Sequence, residues 1–311
     1  MAFDNIVSTT LERYFTSGKA TDNIFARTAV LDFLKRRAKI NAQGGRNAVI
    51  PVMGAKNTTF QNYSGYDQLT PAVDEVMDTA VYDWKQSAIY IPMSGIEEAK
   101  NSGDKAVIKL ITAKTENAEM TAAETFEDQL FNATTAGTAD AWSSPGKDWV
   151  GLAEIVGGGA HAGITGDWWE SYVEDTAGAL TLTDLSHAFN SVSYGSDKCD
   201  FEVTTQLLYE KYESLLQANQ RLTDANTGKA GFDNLMHKSG VVVWSDYTPA
   251  GEWYFLNSKH INLTVLDGKW MDFRGFVEPY NVDAKYGLVL SYGAFTTDGR
   301  RYLGKLAART A

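Results

Sequence analysis

The chain has 311 residues, of which 44% are hydrophobic and only 6 are proline, so it can bury a sizeable core as one large domain or two small ones. This composition excludes a disordered or fibrous protein. The net charge is −11, and it is uneven, because residues 1–60 carry +5 and residues 61–311 carry −16. The negative charge of residues 61–311 argues against a protein that binds nucleic acid tightly, since neutralising phosphates requires many closely spaced Lys and Arg side chains.

The number of cysteines and the lengths of the apolar runs indicate the cellular compartment in which the protein is made. The single cysteine, Cys199, excludes an intramolecular disulfide framework and favours a buried thiol in a reducing cytoplasm. The first residues lack the basic start and apolar core of a signal peptide, and no run approaches the roughly 18 apolar residues that a membrane span needs. We therefore expect a protein that is made in the cytoplasm and has no membrane partner.

Two short helices are predicted in the N-terminal segment, near residues 7–16 and 22–39. The second has an apolar side and a basic C-terminal turn. Its basic side chains are Arg27, Lys35, Arg36 and Arg37. They suit a clamp on an acidic neighbouring subunit, and they suit equally well an ordinary surface helix whose basic end offsets the helix dipole.

Two extended stretches, residues 47–53 and 78–93, are joined by a polar segment that contains glycine. Their polarity does not alternate cleanly enough for a core of their own, and isolated two-stranded ribbons are marginal in water. We therefore expect this segment to lie on another subunit, with Lys56, Trp84 and Lys85 as candidate contacts. The alternative is a third sheet inside a compact domain.

A long helix is predicted after these strands. Ser94 and Glu97 have capping-box spacing and start a short helical turn. Nothing interrupts a helix over residues 104–133, where apolar side chains recur about every four positions. About 30 residues at 1.5 Å each give a rod of roughly 45 Å, which is long for an enzyme helix.

The second half of the chain mixes strands and helices, so the predicted fold class is α+β. We predict a strand at residues 152–156, a helix at 182–192, and a strand near Val203 that leads into a helix bearing Tyr209. Strands dominate after residue 240. Two hairpins are expected at the Asp-Gly pairs at 267–268 and 298–299, because Asp-Gly suits type I′ turns.

The chain carries no complete catalytic, cofactor or metal motif. None of the five Gly-Lys dipeptides is followed by Ser or Thr, so no P-loop is complete. The 4 histidines lie at least 23 residues apart, outside the spacing of zinc sites. Residues 157–162 match a permissive dinucleotide fingerprint, but Gly163 and Gly166 spoil the helix that should hold a pyrophosphate. We therefore expect no enzyme activity, no cofactor and no metal.

One enzyme-like combination remains as an alternative. Trp168 and Trp169 stand beside Glu170 and Glu174, and aromatic platforms that flank two carboxylates are typical of a sugar cleft. Two carboxylates this close in sequence are not placed on opposite sides of a glycosidic bond unless other parts of the chain position them. Tryptophans in a core or an interface are the simpler interpretation.

The order of landmarks from Gly151 onward resembles a known protein family. The landmarks are the sequence GLAEIV with the glycines at 157–159, Trp168, Trp169, Val203 to Gln206, Leu208, Tyr209, Tyr212, Val243, Trp244, and Tyr254 to Asn257. In this order they resemble the major capsid proteins of tailed double-stranded DNA phages, which have the HK97-like shell fold. Before Gly151 the resemblance rests on the layout of the elements.

The resemblance implies a division of the chain into five segments. These are an N-terminal arm at residues 1–46, an extended loop (E-loop) at 47–93, a long spine helix with part of the P-domain at 94–150, a mainly A-domain segment at 151–240, and a C-terminal β-rich part of the P- and A-domains at 241–311. Residues 182–222, in the central A-domain, would surround the axis of a capsomer. The arm and the loop would reach neighbouring subunits.

The resemblance also implies a function and partners. The chain would assemble into pentamers and hexamers of an icosahedral phage head, in the host cytoplasm, and would enclose DNA without binding it specifically. Further partners that the family allows are a portal and a decoration protein. A separate scaffold protein, or none, is implied, since residues 1–46 leave no room for a long fused scaffold. Lys56 and Lys85 lie in the loop where some members crosslink, and we predict no crosslink. An encapsulin-like cellular compartment is the alternative.

Overall fold

The computed structural model of the chain describes residues 29–37, 39–42, 44–69, 75–100, 104–216 and 235–311. The α-helices are α1 Ala29–Arg37, α2 Gly95–Lys100, α3 Asp104–Asn132, α4 Leu152–Ile155, α5 Leu182–Val192 and α6 Gln206–Leu215. The strands of the first half are β1 Lys39–Ala42, β2 Ala48–Met53, β3 Met77–Tyr82, β4 Lys85–Ser94, β5 Tyr172–Glu174 and β6 Gly178–Ala179. Those of the second half are β7 Phe201–Thr204, β8 Leu235–His237, β9 Gly240–Trp244, β10 Trp253–Leu256, β11 Ile261–Leu266, β12 Asp272–Val277, β13 Ala284–Thr297, β14 Gly304–Leu306 and β15 Arg309–Thr310.

Two large sheets carry the fold. In the first, β13 pairs with β4, β11 and β12, and β1 joins at the edge beside β11. In the second, the strand order is β5-β14-β10-β7-β9-β8. Two short pairs, β2 with β3 and β15 with β6, lie outside these sheets. Helices and sheets are mixed along the chain, which confirms the predicted α+β class.

Other elements cover both faces of the six-stranded sheet. Successive side chains of a strand point to opposite sides, so one strand packs on both faces at once. Strand β10 illustrates this arrangement. Trp253 and Phe255 pack with α5 and α6, whereas Tyr254 and Leu256 pack with α1 and α3. The sheet therefore holds together two hydrophobic clusters, one on each face.

The long helix α3 confirms the predicted rod. It spans 29 residues, or about 43 Å at the usual rise per residue. Ala118, Ala122, Phe126 and Leu130 are buried at every fourth position, so the expected apolar stripe faces the body of the protein. The predicted start of α2 is also confirmed, because the Ser94 amide donates to Glu97 Oε2 over 3.1 Å.

Three local predictions were wrong. Residues 152–155 form helix α4 and not a strand. The Asp-Gly pair at 267–268 does turn the chain, with Gly268 at φ 67°, but it joins β11 to β12, which are not neighbours because β13 lies between them. The pair at 298–299 leads into the 3₁₀ turn Arg300–Tyr302 and forms no hairpin.

The second predicted N-terminal helix is confirmed in its last part, as α1, and Lys35, Arg36 and Arg37 lie in it. The first predicted helix and Arg27 lie outside the described residues.

Candidate assembly interface

A two-stranded ribbon projects from the body of the protein. We use "the ribbon" for β2, β3 and the described residues between them, 54–69 and 75–76. The two strands pair antiparallel from Ala48 opposite Tyr82 to Met53 opposite Met77. The rest of the ribbon has no regular secondary structure.

Eight large apolar side chains of the ribbon are exposed. They are Val49, Met53, Phe60, Tyr63, Tyr66, Leu69, Met77 and Val81. Large apolar side chains that are exposed in such number on one segment are typical of an interaction site. The ribbon is therefore the strongest candidate for a protein interface. Sequence reasoning described its central segment as polar and missed the aromatic residues in it, because they follow no period.

The base of the ribbon is anchored to the body by its buried face. Ala48, Val52, Ala80 and Tyr82 form one cluster with Ile164, Trp169 and Ala294. The Tyr82 hydroxyl donates to the Thr297 carbonyl over 2.9 Å, and the Val81 amide donates to the Ala162 carbonyl over 2.9 Å. These contacts fix the direction in which the ribbon leaves the body.

The two tryptophans of the proposed sugar cleft belong to this anchor. Trp169 is buried, and its Nε1 donates to the His161 carbonyl over 3.2 Å. Glu170 accepts a hydrogen bond from the Gly159 amide, and Glu174 is paired with Arg309. Both carboxylates are thus engaged within the chain, which removes the arrangement that suggested glycan chemistry.

His161 is a buried, uncharged part of the anchor. Its ring lies edge-on to Tyr82, with 5.7 Å between the ring centroids. Burial and the nearby positive charge of Arg300 lower its pKa to about 4. At neutral pH the ring therefore packs as a neutral aromatic group.

A single arginine holds the glycine run beside this anchor. The Arg300 side chain is 1% exposed, and it donates to four backbone carbonyls. Nε bonds Ile155 O at 2.7 Å, Nη1 bonds Gly159 O at 2.9 Å, and Nη2 bonds Gly157 O at 2.7 Å and Glu154 O at 3.4 Å. The segment at 157–159 is thus a clamped turn, whereas the sequence indicated a phosphate loop or a flexible one. Sequence reasoning missed Arg300 because no local signal marks it.

The residues predicted as subunit contacts lie in different environments. Trp84 Nε1 donates to the Gly45 carbonyl over 3.0 Å, and Lys85 Nζ donates to the Gly146 carbonyl over 2.7 Å. Lys56 is exposed in the ribbon. Two of the three side chains thus make bonds within the chain, and their role between subunits stays a prediction.

A second group of exposed apolar side chains lies on β12 and on the turn that follows it. Its residues are Phe273, Val277, Tyr280 and Val282. Within the described residues, no group of acidic, His or Cys side chains could hold a metal ion, and no helix is long and apolar enough to cross a membrane.

The anchor can be tested at Gly54, which packs against the face of Trp168. A Cβ at Gly54 would lie 2.4 Å from Trp168 Cζ2, so Gly54→Ala forces the indole or the ribbon to move. We expect a loss of about 1–3 kcal/mol of stability and faster hydrogen exchange at the Val81 amide. Gly158→Ala is the control, because its Cβ would meet nothing closer than 3.9 Å. Equal exchange rates in the two variants would contradict the proposed anchor.

Comparison with solved structures assigns the fold. Solved structures of shell proteins match almost the whole of this chain. The capsid asymmetric unit of cyanophage A-1(L) matches with a TM-score of 0.68 and 15% identity, covering 99% of both chains. The capsid of Myoviridae phage XM1 matches with a TM-score of 0.61 and 10% identity, covering 96% of this chain and 97% of the other.

An encapsulin has the same fold. The holo encapsulin complex from Synechococcus elongatus PCC 7942 matches with a TM-score of 0.62 and 12% identity, covering 98% of this chain and 95% of the other. No protein-family model and no curated protein sequence matches the chain. At these identities the likeness establishes the fold, and the chain has the capsid fold.

Proposed function

We propose that this chain is the major capsid protein of a tailed phage, with a structural and not a catalytic role. The observation that carries the proposal is the ribbon, which is anchored at its base and exposes eight large apolar side chains. A monomer gains nothing from this arrangement, whereas a neighbouring subunit would bury it. The capsid fold over nearly the whole chain supports the same conclusion.

The proposed architecture follows the order of the elements. The ribbon corresponds to the extended loop at 47–93, α3 to the spine helix of the segment at 94–150, and the six-stranded sheet with α5 and α6 to the A-domain, mainly at 151–240. The arm would be residues 1–46, of which residues 1–28 lie outside the described part of the chain, and residues 241–311 would complete the P- and A-domains. Copies of the chain would form pentamers and hexamers of an icosahedral head in the host cytoplasm, and the head becomes part of the virion.

The contents of the shell separate the two candidate biological roles. The net charge of −11 suits a container that encloses DNA without binding it tightly. A portal, a decoration protein and a separate scaffold would complete a phage head, and a cargo protein would complete a compartment. The structural match to an encapsulin keeps the compartment as the second candidate. The absence of a crosslink at Lys56 and Lys85 stays a prediction.

The ribbon gives the experiment that tests assembly. The triple-serine variant Phe60→Ser, Tyr63→Ser, Leu69→Ser removes three exposed apolar side chains and leaves the buried anchor intact. We expect the unmodified chain to form shells or capsomer rings in size-exclusion chromatography and negative-stain electron microscopy, and the variant to stay at the mass of a monomer with unchanged circular dichroism.

Met120→Ser is the matched control, since Met120 is an exposed apolar residue outside the ribbon. Shells that form equally well from the triple-serine variant would remove the ribbon from the interface. A monomeric unmodified chain, alone and with its genomic neighbours, would overturn the assembly function itself. Nucleic acid or protein inside the shells then distinguishes the phage head from the compartment.

A further inference from the structure

A carboxyl group lies fully buried in the six-stranded sheet, on the face that packs with α5 and α6. Glu202, on β7, has no exposed surface. Its Oε1 lies 2.8 Å from Nδ1 of His237 on β8, and its Oε2 accepts from Nε1 of Trp253 on β10 over 2.9 Å. His237 is also buried, and the rings of Phe189 and Tyr212 lie edge-on to it. One carboxyl group thus joins three strands of the sheet.

The two oxygens of this carboxyl group limit how many protons Glu202 and His237 can hold together. An indole nitrogen only donates, so Oε2 must accept from Trp253. A protonated imidazole also only donates, so Oε1 must then accept from His237. A proton on Glu202 has an acceptor only while the imidazole is neutral. The arrangement therefore accommodates a protonated carboxyl group or a protonated imidazole, but not both.

Burial leaves the carboxyl group no other partner to turn to. The backbone of Gly240 lies against it, since a Cβ at Gly240 would be 3.1 Å from Oε1. Burial raises the pKa of Glu202, although the bonds with His237 and Trp253 oppose the rise. A buried donor or acceptor that loses its partner here gains no water in exchange, so a broken bond is costly.

The carboxyl group holds the edge strand of the sheet. Among the described residues, β8 pairs only with β9, over three residues. Its other polar attachments are the contact of His237 with Glu202 and the bond from the Tyr212 hydroxyl to the Met236 carbonyl, over 3.0 Å. Without β8, the apolar strand β9 would have an unpaired edge, which is a template for pairing with another strand.

We propose that Glu202, His237 and Trp253 form an acid-sensitive switch that keeps β8 on the edge of the sheet, and that β8 opens when Glu202 and His237 both take up a proton. In the open form both groups reach water and titrate separately. Below about pH 4.5, the ordinary pKa of a glutamate, the open form binds one proton more than the closed form. Opening then becomes about tenfold more favourable for each unit by which the pH falls.

The further titratable groups that face this switch, within the described part of the chain, are Tyr212 on α6, Cys199 ahead of β7 and Lys238 in the turn after β8. Burial raises the pKa of Tyr212 and of Cys199 above their ordinary values. Lys238 donates as a cation to two oxygens of α5. None of the three gains or loses a proton between about pH 4 and 7, so a response of β8 in that range is assigned to Glu202 and His237.

Hydrogen exchange of the β8 amides from about pH 3.5 to 7.5, corrected for the intrinsic rate at each pH, measures the opening, with the β11 amides as internal reference. We expect the unmodified chain to keep its β8 protection down to about pH 4.5 and then to lose it about tenfold per pH unit. In Glu202→Gln the amide donates to the imidazole and accepts from Trp253, so the first proton on His237 already breaks a bond. Its release should begin near pH 6.5, about two pH units higher.

Trp253→Phe should move the onset in the opposite direction, because Oε2 is then free to carry a proton. Asp298→Asn is the matched control, since Asp298 contacts Nδ1 of His260 at 2.9 Å but is 41% exposed, and it should leave the onset at β8 unchanged. Protection of β8 that is constant over the whole range in the unmodified chain would overturn the switch. The same onset in the unmodified chain and in Glu202→Gln would overturn it as well. The switch lies within one chain and requires no assembly, so its failure would leave the proposed shell function intact.

Discussion

Arg300→Ala is expected to lower the free energy of unfolding by about 3–5 kcal/mol. The substitution removes a charged donor from four backbone carbonyls that belong to the end of α4 and to the glycine run after it. Two of them keep another donor, because Ser171 bonds Gly157 O through its amide over 3.2 Å and Ile155 O through its hydroxyl over 3.3 Å, but the carbonyls of Glu154 and Gly159 lose their arginine donor. Because the clamped segment leads to Ala162, whose carbonyl accepts from the ribbon, we also expect the base of the ribbon to loosen.

Urea and thermal unfolding of the triple-serine variant, which is expected to be monomeric, provide the measurement. A loss of this size corresponds to a fall in Tm of roughly 5–8 °C for a chain of this length. Arg300→Lys should lose less than alanine but not recover the wild-type value, because one ammonium group cannot reach four carbonyls.

Arg301→Ala is the matched control for this prediction. Arg301 is the next residue, but it is exposed, and its guanidinium lies 3.8 Å from the centre of the Tyr194 ring. An exposed cation–π contact contributes about 0.5–1 kcal/mol. If Arg300→Ala proved no more costly than Arg301→Ala, the four-carbonyl clamp would not stabilise the fold.

Elements with local signals could be predicted from the sequence. The long helix follows from an uninterrupted four-residue period, and its bounds differ from the prediction by one residue at the C-terminal end. Helix α5 begins where Thr181 Oγ1 accepts from the Asp184 amide, a cap that can be read from neighbouring residues. The ribbon strands were also predicted as extended, but the second predicted stretch, residues 78–93, is two strands, and only β3 belongs to the ribbon. Strand β4 pairs with β13 in the first sheet, a contact between distant residues that no local signal marks.

Elements decided by distant contacts could not be predicted. A short apolar run such as residues 152–156 is ambiguous between strand and helix. It begins at Gly151, where a Cβ would lie 2.3 Å from the Gln129 carbonyl, so the end of α3 determines its position. The Asp-Gly turn after β11 was a correct turn signal, but the strand that pairs with β11 comes about 20 residues later, as β13.

The same limit applies to the residues that support the candidate interface. Arg300 bonds a carbonyl 145 positions away, and Glu127 bonds an amide 97 positions away. A single charged residue in an ordinary local context gives no sign of such a partner. The exposed aromatic residues at the ribbon tip gave a weak sequence signal of an interface. They are large rings in a segment rich in Asn, Ser and Gly, but they recur with no regular spacing.

Glu127 is expected to make stability fall as the pH rises from 4.5 to 7. This carboxylate lies on α3, has no exposed surface, and receives the first amides of α1, with Val30 N at 3.1 Å and Leu31 N at 2.6 Å. Ser245 Oγ also donates to it, over 3.2 Å. Burial raises the pKa of Glu127 from 4.5 to about 7, although these three hydrogen bonds oppose the rise.

The sign follows from proton binding. Between pH 4.5 and 7 the folded chain holds a proton on Glu127 that the unfolded chain has lost, so each step up in pH favours unfolding. The stabilising contribution is fully present below pH 4.5 and is lost as the pH passes 7, and it amounts to about 3 kcal/mol. The helix N-terminus offsets part of the burial of the charge, since its amides and dipole favour an anion.

Glu127→Gln is the test, because the amide has the same shape and does not titrate. Urea unfolding of the triple-serine variant with and without Glu127→Gln, from pH 4.5 to 8, should give two stabilities whose difference changes by about 3 kcal/mol across the window. Glu119→Gln is the control at an exposed position of the same helix, and its difference should stay constant. A constant difference for Glu127→Gln as well would mean that the carboxylate is no more buried than Glu119. The attachment of α1 to the long helix would then rest on Val30, Leu31 and Leu34 in the core alone.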